Sequence, residues 1–546
     1  MKKLGTVLSL IGLVVASSIA LAACGSSSSS SGGKEGGTLK VADTSAADYI
    51  DPQLSYTADG WTEMWNTYIP LLTYKHAEGA AGSQVIPGLA ESLPKITNGG
   101  KTYTMTLRKG LKYSDGQPVK AGDFEFAVKR MLTLDSGGSA FYTDIVGANN
   151  FQKTKKGDIP GITSNDKTGE IKIDLTKPRG TFSNELALLF VAPVPQNTPM
   201  KDQSATPIPG TGPYSFVSNS PRTGFTQERN PQWAKNNGPK MPDIPSGHVD
   251  KIVLTINSND SAQTDDVING TINWMYNPPP PDRYAEIKSK YEGTQFRVVP
   301  TFSTYYYWMN YKSPTFSNEK VRQAVNYAVD PKALQRIYSG QLSPTQQILP
   351  KDFPGYKKYV LYPYNLQKAK QLVAQSGVKD KDITVWTDDE APNNDAGAYL
   401  QDVLKKIGFN AQLKQIGAAN YFTVIGNTST PNLDIGFSDW FEDYPHPNDF
   451  FDPLLNGENI LPVNNEVFSQ NNDPALNKKI DQLAQVPLTP SVESQYAALD
   501  KDFMKQAVWA PYGNRTLALF VSSDIDFDKV IWNPTFEGDY TSFQFK

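Results

Sequence analysis

Asp443, His446, Asp449 and Asp452 stand three residues apart and carry donor types that would ligate a divalent cation if they converged. Pro445 and Pro447 forbid a continuous helix through them, so the spacing alone does not put them on one face. The other histidines, His76 and His248, lie far from this group and from each other. Cys24 is the one cysteine, which leaves no intramolecular disulfide and no thiolate metal site. No metal and no cofactor are therefore expected. A nucleophile elbow of the G-x-S-x-G type is missing. Asn98-Gly99-Gly100-Lys101-Thr102 ends like a phosphate-binding loop, but Lys95 stands where its first glycine belongs and a strand pattern follows where a helix should. It reads as a hairpin turn. Gly210-Thr211-Gly212 begins like a dinucleotide fingerprint, yet Ser215 replaces the third glycine and Pro213 disrupts the turn, which makes it a loop. Carboxylate pairs for glycoside hydrolysis are defined by a separation of roughly 5 to 9.5 Å, which no spacing reveals. A secreted glycosidase stays open as an alternative, but no catalytic residue can be named, and the chain reads as a binder and not an enzyme.

The ends say where such a binder works. Lys2 and Lys3 precede an uncharged, apolar and small-residue stretch to Ala23, so 1–23 reads as a secretory signal peptide. Leu21-Ala22-Ala23-Cys24 resembles the bacterial lipobox, whose cysteine is acylated; plain cleavage after Ala20-Leu21-Ala22, leaving a free thiol, is the alternative. The Ser/Gly run that follows makes 24–37 an anchor and flexible tether. No later segment approaches the roughly 20 apolar residues that span a bilayer. The expected place is the outer face of the cytoplasmic membrane, held by lipid at Cys24. The body after Thr38 is too long for one core, so two or three domains are expected. A net charge of −4, without a basic stretch interleaved with aromatics, argues against a nucleic-acid partner. The 27 tyrosines and 9 tryptophans exceed core needs and suit an amphipathic cleft.

Periodicity supplies the elements. Thr102 to Leu107 alternates as a half-buried strand, and Asp123 can cap a helix with Phe124, Ala127, Val128, Met131 and Leu132 on one face. Ile171, Ile173 and Leu175 give another strand. Asn318 precedes a helix striped by Val321, Ala324, Val325 and Ala328; Asp330-Pro331 starts the next, and Gly340 can end it. From Ile383 onward strands alternate with an amphipathic helix, which predicts an α/β lobe with a largely parallel sheet. Asp473-Pro474 starts a further helix. The run Pro278 to Pro281 is read as a loop within one lobe in preference to an interdomain linker.

Several motifs occur in one order: Leu89-Ala90-Glu91-Ser92-Leu93, Leu107 through Gly116, Ala121-Gly122-Asp123, Gly210 through Tyr214, Asn310 followed by Val321 through Asp330, and Asp443-Tyr444-Pro445. Together they resemble family 5, the oligopeptide and nickel class, of extracellular solute-binding proteins that serve ABC importers. The resemblance implies an α/β, two-lobed, hinged periplasmic-binding-protein-like fold with an extra domain inserted in the first lobe. By position, 38–75, 190–300 and 505–546 form the first lobe, 76–189 the inserted α+β domain, and 301–504 the second α/β lobe. It further implies a monomer that captures an oligopeptide between its lobes and delivers it to membrane permease and ATPase subunits. The aspartate matching Asp443 meets the peptide ammonium in relatives, in a stretch that includes Trp440 and Tyr444; local capping beside Pro445, and core packing of Trp440, are the other readings. Tyr49 to Tyr56 would face it from the first lobe. Trp308, with Asn310 after it, lies near the crossing into the second lobe, where a packed strand explains the aromatics equally well. Nickel is disfavoured by the scarcity of histidine; an oligosaccharide, stacked on Trp and Tyr faces, remains the alternative ligand.

Overall fold

The computed structural model describes residues 33–546. The signal peptide, Cys24 and most of the tether fall outside the described residues. No helix among the described residues is long and apolar enough to cross a membrane.

Two sheets meet through one shared strand. In the first, Thr38–Asp43 runs parallel to Lys251–Ile256 on one side and to Trp274–Met275 on the other, and apolar clusters cover both faces. In the second, Ser303–Met309, buried along its whole length, lies antiparallel to Ile435–Phe441. The 13-residue strand Trp509–Val521 joins them: its first half pairs with Ser303–Met309 and its second with Phe296–Pro300 and Trp274–Met275. The chain therefore passes between lobes twice, side by side, at Thr301-Phe302 and at Gly513 to Arg515. Side chains help tie the crossings. The Thr301 hydroxyl donates to the Arg515 carbonyl at 2.9 Å, Arg515 N–H donates to Ser303 Oγ at 2.9 Å, and Asn514 Nδ2 donates to the Ser303 carbonyl at 2.8 Å.

The second-lobe sheet is mixed, not largely parallel. Asp382–Asp388 runs parallel to both Asn410–Ile416 and Ile435–Phe441, as strand and helix alternation predicts, but Ile435–Phe441 turns its other edge to an antiparallel neighbour. Periodicity reports burial and not strand direction, so that edge was invisible locally. The helix signals are realised at atomic level. Asn318, Asp330 and Asp473 each accept a backbone N–H of the first turn they cap, the last two with proline at the helix start. The proline run leads into helix Pro281–Tyr291, with a proline in its first turn.

The segment 95–174 carries a four-stranded antiparallel sheet in the order Lys95–Thr97, Thr102–Thr106, Glu170–Asp174, Ile162–Ser164. Asn98-Gly99-Gly100 is its hairpin turn, with Gly99 at φ 63° and Gly100 at φ 89°. Asp123 is not the cap of the helix beside it. Helix Gly122–Thr133 starts one residue earlier, and the Asp123 carboxylate instead accepts Lys120 N–H at 2.9 Å and the buried Tyr113 hydroxyl at 2.8 Å.

Candidate functional site

Strand Ile435–Phe441 delivers Trp440 near its end and runs on into Glu442-Asp443-Tyr444, after which Pro445 and Pro447 break the chain before helix Asn448–Leu455. Asp449, in the first turn of that helix, folds back over the turn. One of its oxygens accepts Trp440 Nε1–H at 3.1 Å and Asp443 N–H at 3.0 Å. Asp449 thus locks the turn, and the Asp443 carboxylate is left to face the other lobe. There the Tyr56 hydroxyl meets it. Tyr56 is held by a stack on Trp61 at 5.9 Å and by the edge of Phe190 at 5.3 Å. Asp48 organises its loop, accepting Tyr49 N–H and Tyr56 N–H at 2.7 Å each.

Burial pushes the Asp443 carboxyl up to about 7; the Tyr56 hydroxyl opposes the shift and Glu466 adds to it. No basic side chain acts on it. Asp449 and Glu442 are also raised, first by burial and then by the carboxylates around them. The arrangement is a set of acids that lack a cation, where neutralising a partner from outside relieves the cost of burying charge.

Tyr444 crosses to the other lobe. It is 4% exposed and packs in an apolar cluster whose other members belong to residues 50–244 and Phe536, with the Phe141 ring edge-on at 5.9 Å. Gly180 N–H donates to the Ala484 carbonyl at 2.7 Å nearby in this contact between lobes. The lobes are closed on each other.

The sequence candidates separate accordingly. Asp443, Trp440, Tyr444 and Tyr56 come together; Tyr56 is 39% exposed, as is Tyr49, which shares its loop through Asp48. Trp308 and Asn310 do not join them. Trp308 lies in the second-lobe core, its Nε1–H donating to the Phe437 carbonyl at 3.0 Å, and a Cβ at Gly436 would come within 2.5 Å of its ring. Asn310 is buried, its Nδ2 donating to the Leu433 carbonyl at 2.8 Å. Both serve packing of the strand that carries them. His446 and its flanking acids form no metal set among the described residues. The His446 ring is buried, Nδ1 accepts Asn448 N–H at 3.1 Å, and burial holds the imidazole neutral by lowering it to about 3. Sequence reasoning missed the part played by Asp449, although its three-residue spacing had singled it out for another role.

Residues 84–461 match the family model described as "Bacterial extracellular solute-binding proteins, family 5 Middle". The chain belongs to this family. Its members are substrate-binding proteins. This family 5 protein is 22% identical over 387 residues to the oligopeptide-binding protein OppA of Bacillus subtilis (strain 168), covering 67% of this chain and 68% of that one. It is 24% identical over 489 residues to the probable di/tripeptide-binding protein 5 of Pseudomonas aeruginosa (strain UCBPP-PA14), covering 85% and 87%. Among solved structures, the clavulanic acid biosynthesis oligopeptide binding protein 2 superposes with a TM-score of 0.85 at 24% identity, covering 94% of this chain and 96% of that one. Haemophilus influenzae OppA, in complex with the peptide RPPGFSPFR, does so with a TM-score of 0.68 at 18% identity, covering 94% and 100%. These likenesses establish the two-lobed α/β fold of the periplasmic binding proteins.

Proposed function

We propose that this family 5 protein is the extracytoplasmic receptor of an ABC importer and captures oligopeptides between its lobes. One observation carries the reading: Asp443 is a carboxylate set between two lobes, braced through its own backbone by Asp449 and met by Tyr56, with no basic side chain to neutralise it. A peptide ammonium supplies what is missing, through a charge-assisted hydrogen bond strengthened by the scarcity of water. A neutral sugar does not. The names of several relatives, which print an oligopeptide, a di/tripeptide or a bound peptide, point the same way. The residues would divide as 38–75, 190–300 and 505–546 for the first lobe, 76–189 for the inserted domain and 301–504 for the second, with the paired crossings as hinge. Contacts from both lobes exist only when closed, so ligand shifts the population toward the form a permease reads.

Calorimetry on protein stripped of co-purified ligand by unfolding and refolding tests this. Tri- to pentapeptides with free amines are expected to bind with Kd on the order of micromolar or tighter, and neutral oligosaccharides to give no heat. Sugar binding without peptide binding would overturn the reading, and turnover of glycosides would place the protein among enzymes.

The lipid anchor at Cys24 belongs to the same proposal. It keeps the receptor within a tether's reach of its permease and so raises the effective concentration for handover. Cys24→Ser should release the protein into the medium, still able to bind peptide, and should depress uptake. Equal uptake by the released form would remove this role for the cysteine.

A further inference from the structure

The acids of the site extend beyond Asp443. Trp61, on which Tyr56 stacks, has the Phe536 ring 6.2 Å away, and Thr62 donates to the Phe536 carbonyl at 2.9 Å; the turn Thr535-Phe536-Glu537 that is held there carries Glu537 inward. There it lies within the field of Asp43, at the end of strand Thr38–Asp43, and of Asp59, on helix Ala58–Met64; Glu63, on the same helix, feels the same two carboxylates. The phenols of Tyr276 and Tyr540 stand among these carboxylates: Tyr276 donates to Glu537 and feels Asp43 and Asp59, and Tyr540 feels Glu63, Asp43 and Asp59. Asp43, Glu63 and Glu537 are 1%, 3% and 8% exposed.

Two polar groups aimed into this cage have nothing to bind. Asp43 Oδ2 and the Tyr540 hydroxyl are buried without a hydrogen-bond partner, in a residue that is 1% exposed in each case. The charges that act on Glu63 and on Glu537 are all carboxylates. A fold that buries several acids and leaves their neighbours unsatisfied lacks a donor-rich cation at that point. The acids do not converge tightly enough to hold a metal ion. The spread suits an ammonium or a guanidinium, which offers three or five donors in different directions.

We propose that Asp43, Glu63 and Glu537, with the hydroxyls of Tyr276 and Tyr540, form a second recognition subsite for the lysine or arginine side chain of a bound peptide, which makes the receptor selective for basic peptides. The inference rests on the peptide reading of the cleft. Burial pushes Asp43 up to about 6 and Glu537 up to about 7, so the empty cage holds protons that an entering cation displaces. The other titratable groups facing the cage, Asp59, Glu63, Asp48 and the two phenols, include no base. The preference for a lysine peptide over its uncharged analogue therefore grows as pH rises from 5.5 to 8. Asp443 acts on the ammonium that both peptides share and cancels in that comparison.

The test is calorimetry at pH 7.5 on the ligand-stripped full receptor, with tripeptides of alanine carrying lysine or norleucine at each position in turn. At one position lysine is expected to bind about tenfold or more tighter than norleucine. In E537Q, or in D43N should the first not fold, that ratio collapses toward unity. Norleucine equal to or tighter than lysine at every position overturns the subsite and leaves the peptide reading standing. Failure of every peptide, with an oligosaccharide bound instead, overturns both. A lysine preference that survives both variants places the cation elsewhere and also defeats the assignment.

Discussion

Asp443→Asn is expected to raise the Kd of a free-amine peptide about a hundredfold, in line with the cost of truncating one partner of a buried charge pair, and to change that of the N-acetylated peptide little. The substitution keeps the size of the side chain, and the backbone N–H that Asp449 accepts at 3.0 Å is untouched, so the turn survives. What is lost is the negative charge facing the ligand. The pH dependence gives an independent check. With the Asp443 carboxyl raised to about 7 in the free protein, acid protonates the group that the ammonium needs. Affinity for the free-amine peptide should rise as pH increases from about 5 to 7, below the range of roughly 7.7 to 8 in which the peptide amine itself loses its proton, and this slope should flatten in the asparagine variant. Calorimetry that finds equal losses for acetylated and free peptides would remove Asp443 from ammonium recognition.

Asp51→Ala should unfold the receptor more readily than any surface substitution, by about 3 to 5 kcal/mol, because it strands a buried guanidinium. Arg130 and Asp51 are both 0% exposed in their side chains, and Arg130 Nη1 and Nη2 donate to the two carboxylate oxygens at 2.7 and 2.6 Å. The guanidinium also donates to Gln53 Oε1 and to the carbonyls of Pro199 and Lys201, which saturates it. Asp51 in turn accepts Gln53 N–H and Gln203 N–H. One guanidinium thus fastens helix Gly122–Thr133 to two separate segments, at Asp51 to Gln53 and at Pro199 to Lys201. Urea titration followed by tryptophan fluorescence measures the effect; a midpoint shift worth less than about 1 kcal/mol, the scale of a surface pair, would show that the clamp is not what holds the helix there.

Much of the molecule was legible locally. Caps at Asn318, Asp330 and Asp473, the hairpin at Asn98 to Gly100 and the alternating strands of the second lobe each depend on hydrogen bonds and burial within a few residues. The mistaken cap at Asp123 shows the limit of that logic: a good capping residue was taken by the Tyr113 hydroxyl, ten residues away. Trp308 is a second case. Its aromatic neighbours resemble a cleft lining in composition, yet a fully buried strand has the same composition, and only the register beside Gly436 distinguishes the two.

The sequence by itself determined many of the helices and strands and the family, and it singled out Asp443 as a candidate, because each is written in neighbouring residues. The tertiary structure alone decided that Asp449 braces Asp443, that Tyr444 packs into the opposite lobe, and that Asp43, Glu63, Tyr276 and Glu537 share one cage. Asp43, Tyr276 and Glu537 are hundreds of residues apart along the chain, as is Tyr444 from the cluster it enters, and a single strand, Trp509–Val521, is what returns the last segment to the first. Charge and burial depend on distance in space, and no local pattern records a distance set by a chain that leaves one lobe and comes back.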